Sequence, residues 1–296
     1  MGLSPGLDKI KLIVCLLGQE PYMSSESKSR QVNLSKPVTV PDLLQSKSLG
    51  QKITMVSVYD FPMARLMDEA GVDCLLVGDS LGMVIQGNND PLSVTLAQMI
   101  YHGTMVSKAA KRSLVIVDMP FLSYQVSKAQ AIRNSGKVLQ KTGAHAVKLE
   151  GGQKIAKTIH AITQADIPVV GHVGLTPQSV RRLGGFKMQR DEKRILDDAL
   201  AVQEAGAFAI VLECVPPEIA RKVTQQLNIP TIGIGAGPHC DGQVLVGHDM
   251  LGMTQGFHPR FSKKFAKISE QIIDATRSYC QEVRSGSFPG PEHTFE

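Results

Sequence analysis

Four apolar segments of this chain each end on an acidic residue, at Asp79, Asp118, Glu150 and Glu213. A fifth apolar run, over residues 168–171, is followed directly by His172. Carboxylates that crowd together repel one another, so they stay ionised only when a cation balances them. Asp and Glu oxygens are the ligands that Mg²⁺ takes from proteins. The pattern predicts a divalent metal site, with a histidine beside it, where these segment ends meet.

The five segments read as strands of a parallel sheet. Continuous Val, Ile and Leu between turn residues is typical of strands that helices cover on both faces. In parallel α/β proteins, the chemistry lies at the carboxyl ends of the strands. In an open sheet the outer strands of such a set would lie ~14 Å apart, because neighbouring strands are ~4.8 Å apart. A closed barrel brings five strand ends around one site.

The order of elements repeats along the chain. Three segments place a helix end and a glycine ahead of a strand: EAGVDCLLVGDS, KTGAHAVKLEGG and EAGAFAIVLECV. This repetition indicates one recurring unit rather than unrelated domains. We predict an α/β protein whose residues 37–261 form a (β/α)₈ TIM barrel, with a helix after each strand. We expect the fifth strand to hold His172 and the eighth to cover residues 244–246.

The two ends of the chain fall outside the predicted barrel. Residues 1–36 are expected to be a poorly ordered N-terminal extension. Residues 262–296 are expected to hold an extra C-terminal helix, from about Ser262 to Val283, followed by a tail rich in Gly and Pro. A helix left over after a barrel closes suits a subunit interface, so we expect a homo-oligomer.

The composition excludes several classes of protein. The net charge of +5 is dispersed, without the aromatic and basic stripe of a nucleic-acid-binding protein. No run reaches the ~20 apolar residues of a membrane span. Five cysteines without CxxC spacing indicate reduced thiols and a cytoplasmic location. A mitochondrial location is the alternative, if the serine-rich extension is a presequence, but Asp8, Glu20 and Glu26 argue against it.

Lys148 and Glu150 lie two residues apart on one strand, so both side chains point to the same face. A lysine inside a barrel is costly unless it is paired with an anion. The two side chains could form a buried structural pair. Alternatively, Lys148 binds a substrate carboxylate and Glu150 belongs to the metal site.

Other polar residues at the strand ends have both a chemical and a structural interpretation. Glu213 precedes Cys-Val-Pro-Pro, and a carboxylate in apolar surroundings suits a general base. His172 could donate a hydrogen bond to a substrate oxygen, or could be a satisfied core residue. Asp79 and Asp118 could each cap a helix instead of binding a metal. The glycines of residues 233–237 could cradle a phosphate at a helix start, or serve close packing.

Six segments together resemble the ketopantoate (3-methyl-2-oxobutanoate) hydroxymethyltransferase family: VGDSLGMVIQG, KLEGG, GHVGLTPQS, LECVP, IGIGAG and DGQVLV. The resemblance runs from about Val38 to the C-terminus. It implies a barrel of the phosphoenolpyruvate/pyruvate superfamily and a homo-oligomer, often a decamer. It also implies transfer of a hydroxymethyl group from 5,10-methylenetetrahydrofolate to 3-methyl-2-oxobutanoate. The product would be 2-dehydropantoate, on the route to pantothenate and coenzyme A.

The resemblance also implies roles for individual residues. Mg²⁺ would be bound by Asp79, Asp118 and Glu150. The oxo acid would contact Asp79, Ser80, Asp118 and Lys148. Glu213 would accept the proton from C3 of the substrate. Apart from the resemblance, we expect His172 to donate a hydrogen bond to the substrate oxygen that gains charge.

The chain departs from the family pattern in three places. The loop after Lys187 is about four residues shorter, Asn88 stands where the family often has His, and the N-terminal extension has no counterpart. A lyase or mutase of the same superfamily is the nearest rival function, and GHVGLTPQS argues against it. A non-catalytic barrel would be expected to lose at least one polar rim residue. A phosphate-sugar enzyme would leave the four carboxylates unexplained.

Overall fold

The computed structural model describes residues 36–256 and 259–295. The expected extension at residues 1–36 lies, except for its last residue, outside the described residues. The choice between a cytoplasmic and a mitochondrial location therefore stays a prediction. No helix in the described part of the chain is both long and apolar enough to cross a membrane.

Eight parallel strands form a closed barrel in chain order, which confirms the predicted fold. The strands are β1 (Ile53–Ser57), β2 (Cys74–Val77), β3 (Leu114–Asp118), β4 (Ala146–Glu150), β5 (Val169–Gly174), β6 (Ala209–Glu213), β7 (Thr231–Ile234) and β8 (Gly242–Val246). The helices are α1 (Val40–Ser48), α2 (Phe61–Glu69), α3 (Leu81–Val84), α4 (Leu96–Ala109), α5 (Lys128–Thr142), α6 (Gln153–Thr163), α7 (Val180–Leu183), α8 (Glu192–Glu204), α9 (Pro217–Gln226), α10 (Gly247–Met250) and α11 (Ile268–Ser285).

The alternation of each strand divides its side chains between two cores. On β4, Val147 and Leu149 pack outward against the helices, while Ala146 belongs to the cluster inside the barrel. Lys148 and Glu150 share the parity of Ala146, so they project inward, as predicted. The same alternation places the carboxylates that end β3 and β6 on the inner face.

The second glycine of KLEGG is required by packing. A Cβ on Gly152 would lie 2.1 Å from Cγ of Asp198, on α8. The Asp198 carboxylate accepts a hydrogen bond from the backbone N–H of Gln153 at 2.8 Å, at the start of α6. A glycine therefore lets α8 approach and cap the neighbouring helix.

β5 holds His172, as predicted, and the strand continues to Gly174. The ladder with β6 runs on because Gly174 adopts a φ of +94°, and a Cβ there would lie 2.3 Å from the Glu213 carbonyl oxygen. His172 consequently points into the barrel from a hydrogen-bonded position. β2 is shorter than predicted, ending two residues before Asp79.

The prediction of a helix after every strand is wrong between β7 and β8, where residues 235–241 form none. Gly235 and Gly237 adopt positive φ angles that turn the chain. The Asp241 carboxylate then accepts hydrogen bonds from the Thr231 N–H at 2.9 Å and from Lys47 Nζ at 2.7 Å. These bonds join the two strands directly, and the phosphate hypothesis for residues 233–237 has no helix start to support it.

The extra C-terminal helix is present, but α11 begins at Ile268 rather than near Ser262. The preceding segment is held by its backbone, since the Phe265 N–H donates to the Met250 carbonyl at 2.8 Å. None of the residues of α11 is buried. Its exposed apolar side chains include Ile272, Ile273, Tyr279 and Val283.

Candidate functional site

A cavity of about 780 Å³ opens at the carboxyl ends of the strands. Seven side chains that the sequence predicts to be functional all line it, namely Asp79, Ser80, Asp118, Lys148, Glu150, His172 and Glu213. Its other walls are largely apolar, with Leu76, Val211, Ile234, Val244 and Val246 among the lining residues. The strand ends that the sequence singles out therefore surround one cavity.

The firmest ion pair of the cavity joins β3 to β4. Lys148 Nζ lies 2.8 Å from Oδ1 of Asp118, and both side chains are 5% exposed. Oδ2 of Asp118 accepts the backbone N–H of Asp79 at 3.0 Å. Burial opposes the ammonium, but the carboxylates of Asp118, Glu150 and Asp79 outweigh it and raise the pKa of Lys148. Lys148 is therefore a permanent cation in this site.

His172 lies between the ammonium and the carboxylate of Glu213. Its Nδ1 is 3.3 Å from Lys148 Nζ, and its Nε2 is 3.2 Å from Oε2 of Glu213. Burial, together with the positive charge of Lys148, lowers the pKa of His172, so the ring is neutral. Because Nδ1 accepts from the ammonium, the ring proton resides on Nε2 and faces Glu213.

Burial and neighbouring negative charge disfavour the ionised forms of Asp79 and Glu150. Burial and the neighbouring Asp118 raise the pKa of Asp79 to about 7. Burial and the charge of Asp79 raise the pKa of Glu150 well above its ordinary value. Two basic side chains line the cavity, Lys148 and Arg260, against five carboxylates, those of Asp79, Asp118, Glu150, Glu213 and Asp249. This excess of negative charge suits the binding of a further cation.

Gln178 is a functional candidate that sequence reasoning missed. It lies in the 3₁₀ turn Pro177–Ser179 after β5, and only 7% of it is exposed. Its side-chain amide donates to Oδ2 of Asp79 at 2.7 Å, and its backbone N–H donates to Oε2 of Glu150 at 2.9 Å. The sequence held one sign of it: Gln178 belongs to GHVGLTPQS, the second longest of the six segments that carry the family resemblance.

Ser80 is fixed from the side of β1. Its hydroxyl lies 2.8 Å from that of Tyr59, which is fully buried. Burial raises the pKa of Tyr59, so the phenol stays protonated and able to donate. The tyrosine was a second residue that the sequence did not single out.

The chain matches a family model over most of its length. The model describes ketopantoate hydroxymethyltransferase, and it matches residues 37–291. The chain belongs to the ketopantoate hydroxymethyltransferase family. The 3-methyl-2-oxobutanoate hydroxymethyltransferase of Pelobacter propionicus is 52% identical over 266 residues, which are 89% of this chain and 99% of that one. The enzyme of the same name from Trichlorobacter lovleyi is 51% identical over 265 residues, covering 88% and 100%. The chain is thus a transferase enzyme by membership of this family.

Solved structures with low identity share the fold of this family member. Phosphonopyruvate hydrolase aligns with a TM-score of 0.59 and 12% identity, over 88% of this chain and 92% of that one. Its complex with oxalate and Mg²⁺ gives 0.58 and 13%, over 86% and 93%. A 2,3-dimethylmalate lyase, a member of the PEP mutase/isocitrate lyase superfamily, gives 0.54 and 17%, over 87% and 91%. At such identities the likeness shows the fold alone.

The charge of the site fits a divalent cation better than its ligand geometry does. Among residues 36–256 and 259–295, no three His, Cys, Asp or Glu side chains converge closely enough to hold a metal ion. Asp118 contributes to this, since Lys148 and the Asp79 N–H engage its two oxygens. Mg²⁺ takes about one or two protein carboxylates and completes its shell with water and substrate oxygens. The residues present fit that mode, and direct ligation by Asp79, Asp118 and Glu150 together stays a prediction.

Proposed function

We propose that the chain transfers a hydroxymethyl group from 5,10-methylenetetrahydrofolate to 3-methyl-2-oxobutanoate, giving 2-dehydropantoate for pantothenate and coenzyme A synthesis. The observation that carries this proposal is the position of Glu213. Its side chain is 16% exposed to the cavity, against 5% for Asp118 and 4% for Glu150. Of these three carboxylates that line the cavity, Glu213 is therefore the one most open to a substrate.

The two chemical ends of the oxo acid match the two sides of the cavity. Lys148 supplies the cation for the substrate carboxylate, and Ser80 supplies a hydroxyl beside it. The branched alkyl end suits the apolar wall, which includes Val211 and Ile234. Mg²⁺, held by Asp79, Asp118 and Glu150, would act as a Lewis acid that stabilises negative charge on the 2-oxo oxygen.

Glu213 then removes the proton from C3. The neutral imidazole of His172 directs its Nε2 proton toward the Glu213 carboxylate, which orients the base without adding a full positive charge. The sequence-based prediction that His172 donates a hydrogen bond to a substrate oxygen stays a prediction. C3 forms a bond to the methylene carbon of the folate, and the two C–N bonds that held this carbon break. Water adds its hydroxyl group to the methylene carbon. The proton from C3 and the remaining proton of water go to N5 and N10, so that tetrahydrofolate leaves with 2-dehydropantoate.

The decisive experiment is proton–deuterium exchange at C3 of 3-methyl-2-oxobutanoate, followed by NMR. We expect wild-type protein to exchange this proton when Mg²⁺ is present. Glu213→Gln keeps the size of the side chain and should lower the rate by about 10²–10⁴-fold, the usual contribution of a general base. Glu218→Gln is a matched control, because Glu218 is exposed on α9 and pairs only with Arg221 among the described residues. A wild-type rate in Glu213→Gln would show that another group is the base.

Adding 5,10-methylenetetrahydrofolate tests the second half of the proposal. We expect formation of 2-dehydropantoate at a rate that depends on both substrates. Exchange without transfer would retain the enolising step and reject the folate donor. A wild-type protein that neither exchanges nor transfers, with any divalent metal, would overturn the proposed activity.

We further propose that α11 packs against another subunit of a homo-oligomer, a decamer if the family pattern holds. The helix has an apolar side that its own chain leaves exposed. We expect light scattering to give an oligomeric mass for wild-type protein and a smaller mass for Ile272→Glu/Tyr279→Glu. A monomeric wild-type protein would contradict this proposal.

A further inference from the structure

Gln178 connects the ends of three neighbouring strands. Its side-chain Nε2 donates to Oδ2 of Asp79 at 2.7 Å and to the backbone carbonyl of Met119 at 2.9 Å. Its backbone N–H donates to Oε2 of Glu150 at 2.9 Å. The residues after β2 and β3 and the last residue of β4 are thereby joined through one buried residue. A buried amide with this many partners has little freedom to move.

Tyr124 and Gln125 fix which way the amide of Gln178 points. The Tyr124 hydroxyl lies 2.8 Å from Oε1 of Gln178, and Nε2 of Gln125 donates to the same oxygen at 3.1 Å. The Tyr124 hydroxyl also lies 3.0 Å from the Glu150 carbonyl and accepts the Glu150 N–H at 3.2 Å. Rotating the amide by half a turn would bring its oxygen against the Asp79 carboxylate and the Met119 carbonyl. The hydrogen-bond partners therefore permit one orientation.

Gln178 stands behind the two carboxylates rather than in the cavity. Asp79 and Glu150 line the cavity, whereas Gln178 and Tyr124 are absent from its wall. One oxygen of each carboxylate is bound by Gln178, which leaves Oδ1 of Asp79 and Oε1 of Glu150 as the atoms available to a ligand. Oε1 of Glu150 lies 3.6 Å from His172 Nδ1.

We infer that Gln178, oriented by Tyr124, is a positioning residue that sets Asp79 and Glu150 for a divalent cation. The inference rests on the proposed function, because that function supplies the metal. Gln178 touches neither substrate nor metal in this scheme. It holds two repelling carboxylates at a fixed separation, so that the cation does not have to order them on binding. Partners of this kind typically change metal affinity by about 10–100-fold when removed.

The test measures Mn²⁺ binding without substrate, by electron paramagnetic resonance of the free ion. We expect Gln178→Ala to raise the Kd for Mn²⁺ by about 10-fold or more. Gln178→Glu should weaken binding further at neutral pH, because it sets a third carboxyl group beside Asp79 and Glu150. Tyr124→Phe keeps the ring and loses only the hydroxyl, so a rise of about 3-fold is expected.

Gln203→Ala is the matched control for the loss of a bridging glutamine. Gln203 on α8 accepts backbone N–H groups of Asn228 and Ile229 at 2.6 and 3.2 Å. These residues come before the amino ends of β6 and β7, whereas the cavity lies at the carboxyl ends of the strands. Replacement of Gln203 should change the unfolding temperature but not the Kd for Mn²⁺. Circular dichroism of every variant separates a lost site from a lost fold. If Gln178→Ala does not fold, Tyr124→Phe alone decides the inference.

A second readout uses C3 exchange at increasing Mn²⁺ concentration. A positioning role predicts that high Mn²⁺ restores most of the exchange rate of Gln178→Ala, since Glu213 is unchanged. An unaltered Kd in both Gln178→Ala and Tyr124→Phe would overturn the inference and leave the proposed function standing. A wild-type protein that binds no Mn²⁺ would remove the metal from the proposed function and overturn the inference with it.

Discussion

The two sides of the cavity are built from the same barrel and differ in what holds their side chains in place. On the side of β2 to β5, ion pairs and hydrogen bonds, which are directional contacts, fix Asp118, Lys148 and His172. On the side of β6 to β8, Val211 and Ile234 are held by packing alone. A substitution in a hydrogen-bonded network disturbs all of its members together. A substitution in a packed wall costs free energy in proportion to the methyl and methylene groups removed.

This difference suggests how the cavity divides its tasks. The polar side fixes charges before a substrate arrives, and preorganised charges are the largest contribution to many enzyme rates. The apolar side recognises shape, and each methylene there is worth about 1–3 kcal/mol of discrimination. Glu213, the proposed base at the end of β6, lies at the boundary between the two sides.

The largest effect is expected from breaking the polar side. Lys148→Met removes the ammonium and leaves Asp118 and its neighbours without a compensating charge. Breaking a buried pair in this way costs about 3–5 kcal/mol. We expect urea unfolding to show a loss of this size, together with loss of C3 exchange. Lys222→Met, which breaks an exposed pair with Glu192, should change the free energy of unfolding by less than about 1 kcal/mol. Equal losses in the two variants would contradict the comparison.

A smaller and more selective effect is expected on the apolar side. Ile234→Ala removes three carbons from the cavity wall while leaving the charges intact. We expect KM for 3-methyl-2-oxobutanoate to rise about 10-fold or more, with a lesser change in kcat, because shape recognition is lost but the base is not. For a 2-oxo acid with one more methylene group, the same substitution should raise KM less, because the larger alkyl group fills part of the enlarged cavity. An equal loss for both substrates would show that this wall does not select the alkyl group.

The smallest effect concerns pH. Because the pKa of Asp79 is raised to about 7, a metal must displace its proton at lower pH. The ionised fraction of Asp79 rises with pH, so the Mn²⁺ affinity should rise about tenfold from pH 6 to pH 8 and change little above that. Titrations at three pH values would measure this. A Kd that is constant from pH 6 to pH 8 would show that Asp79 does not exchange a proton for the metal.

The predictability of the two sides from sequence also differs. The inward placement of Lys148 and Glu150 followed from strand alternation alone, and the structure has it so. Glu213 and Asp118 followed from the rule that parallel strands carry their chemistry at their carboxyl ends. These residues are local to a strand, so a one-dimensional pattern contains their position.

Residues that depend on loops crossing between strands could not be found in that way. Gln178 and Tyr124 follow different strands, and their contact spans 54 residues of sequence. The direct passage from β7 to β8 depends on bonds between Asp241, Thr231 and Lys47, which no periodicity reveals. The apolar wall was predicted as strand interior, but a strand pattern does not distinguish a core side chain from one that faces a cavity.

The close approach of Asp198 to Gly152 bears on how the KLEGG segment is interpreted. We propose chemical roles for two of its positions, Lys148 and Glu150, while the residue at position 152 is constrained by the neighbouring helix α8. A library randomised over residues 148–152 and selected only for folding would be expected to return glycine at position 152. The same library selected for hydroxymethyl transfer would have to return the charged positions as well. The glycine at position 152 is therefore required by the packing of the barrel, and we expect it to be retained even in a related barrel without catalytic activity.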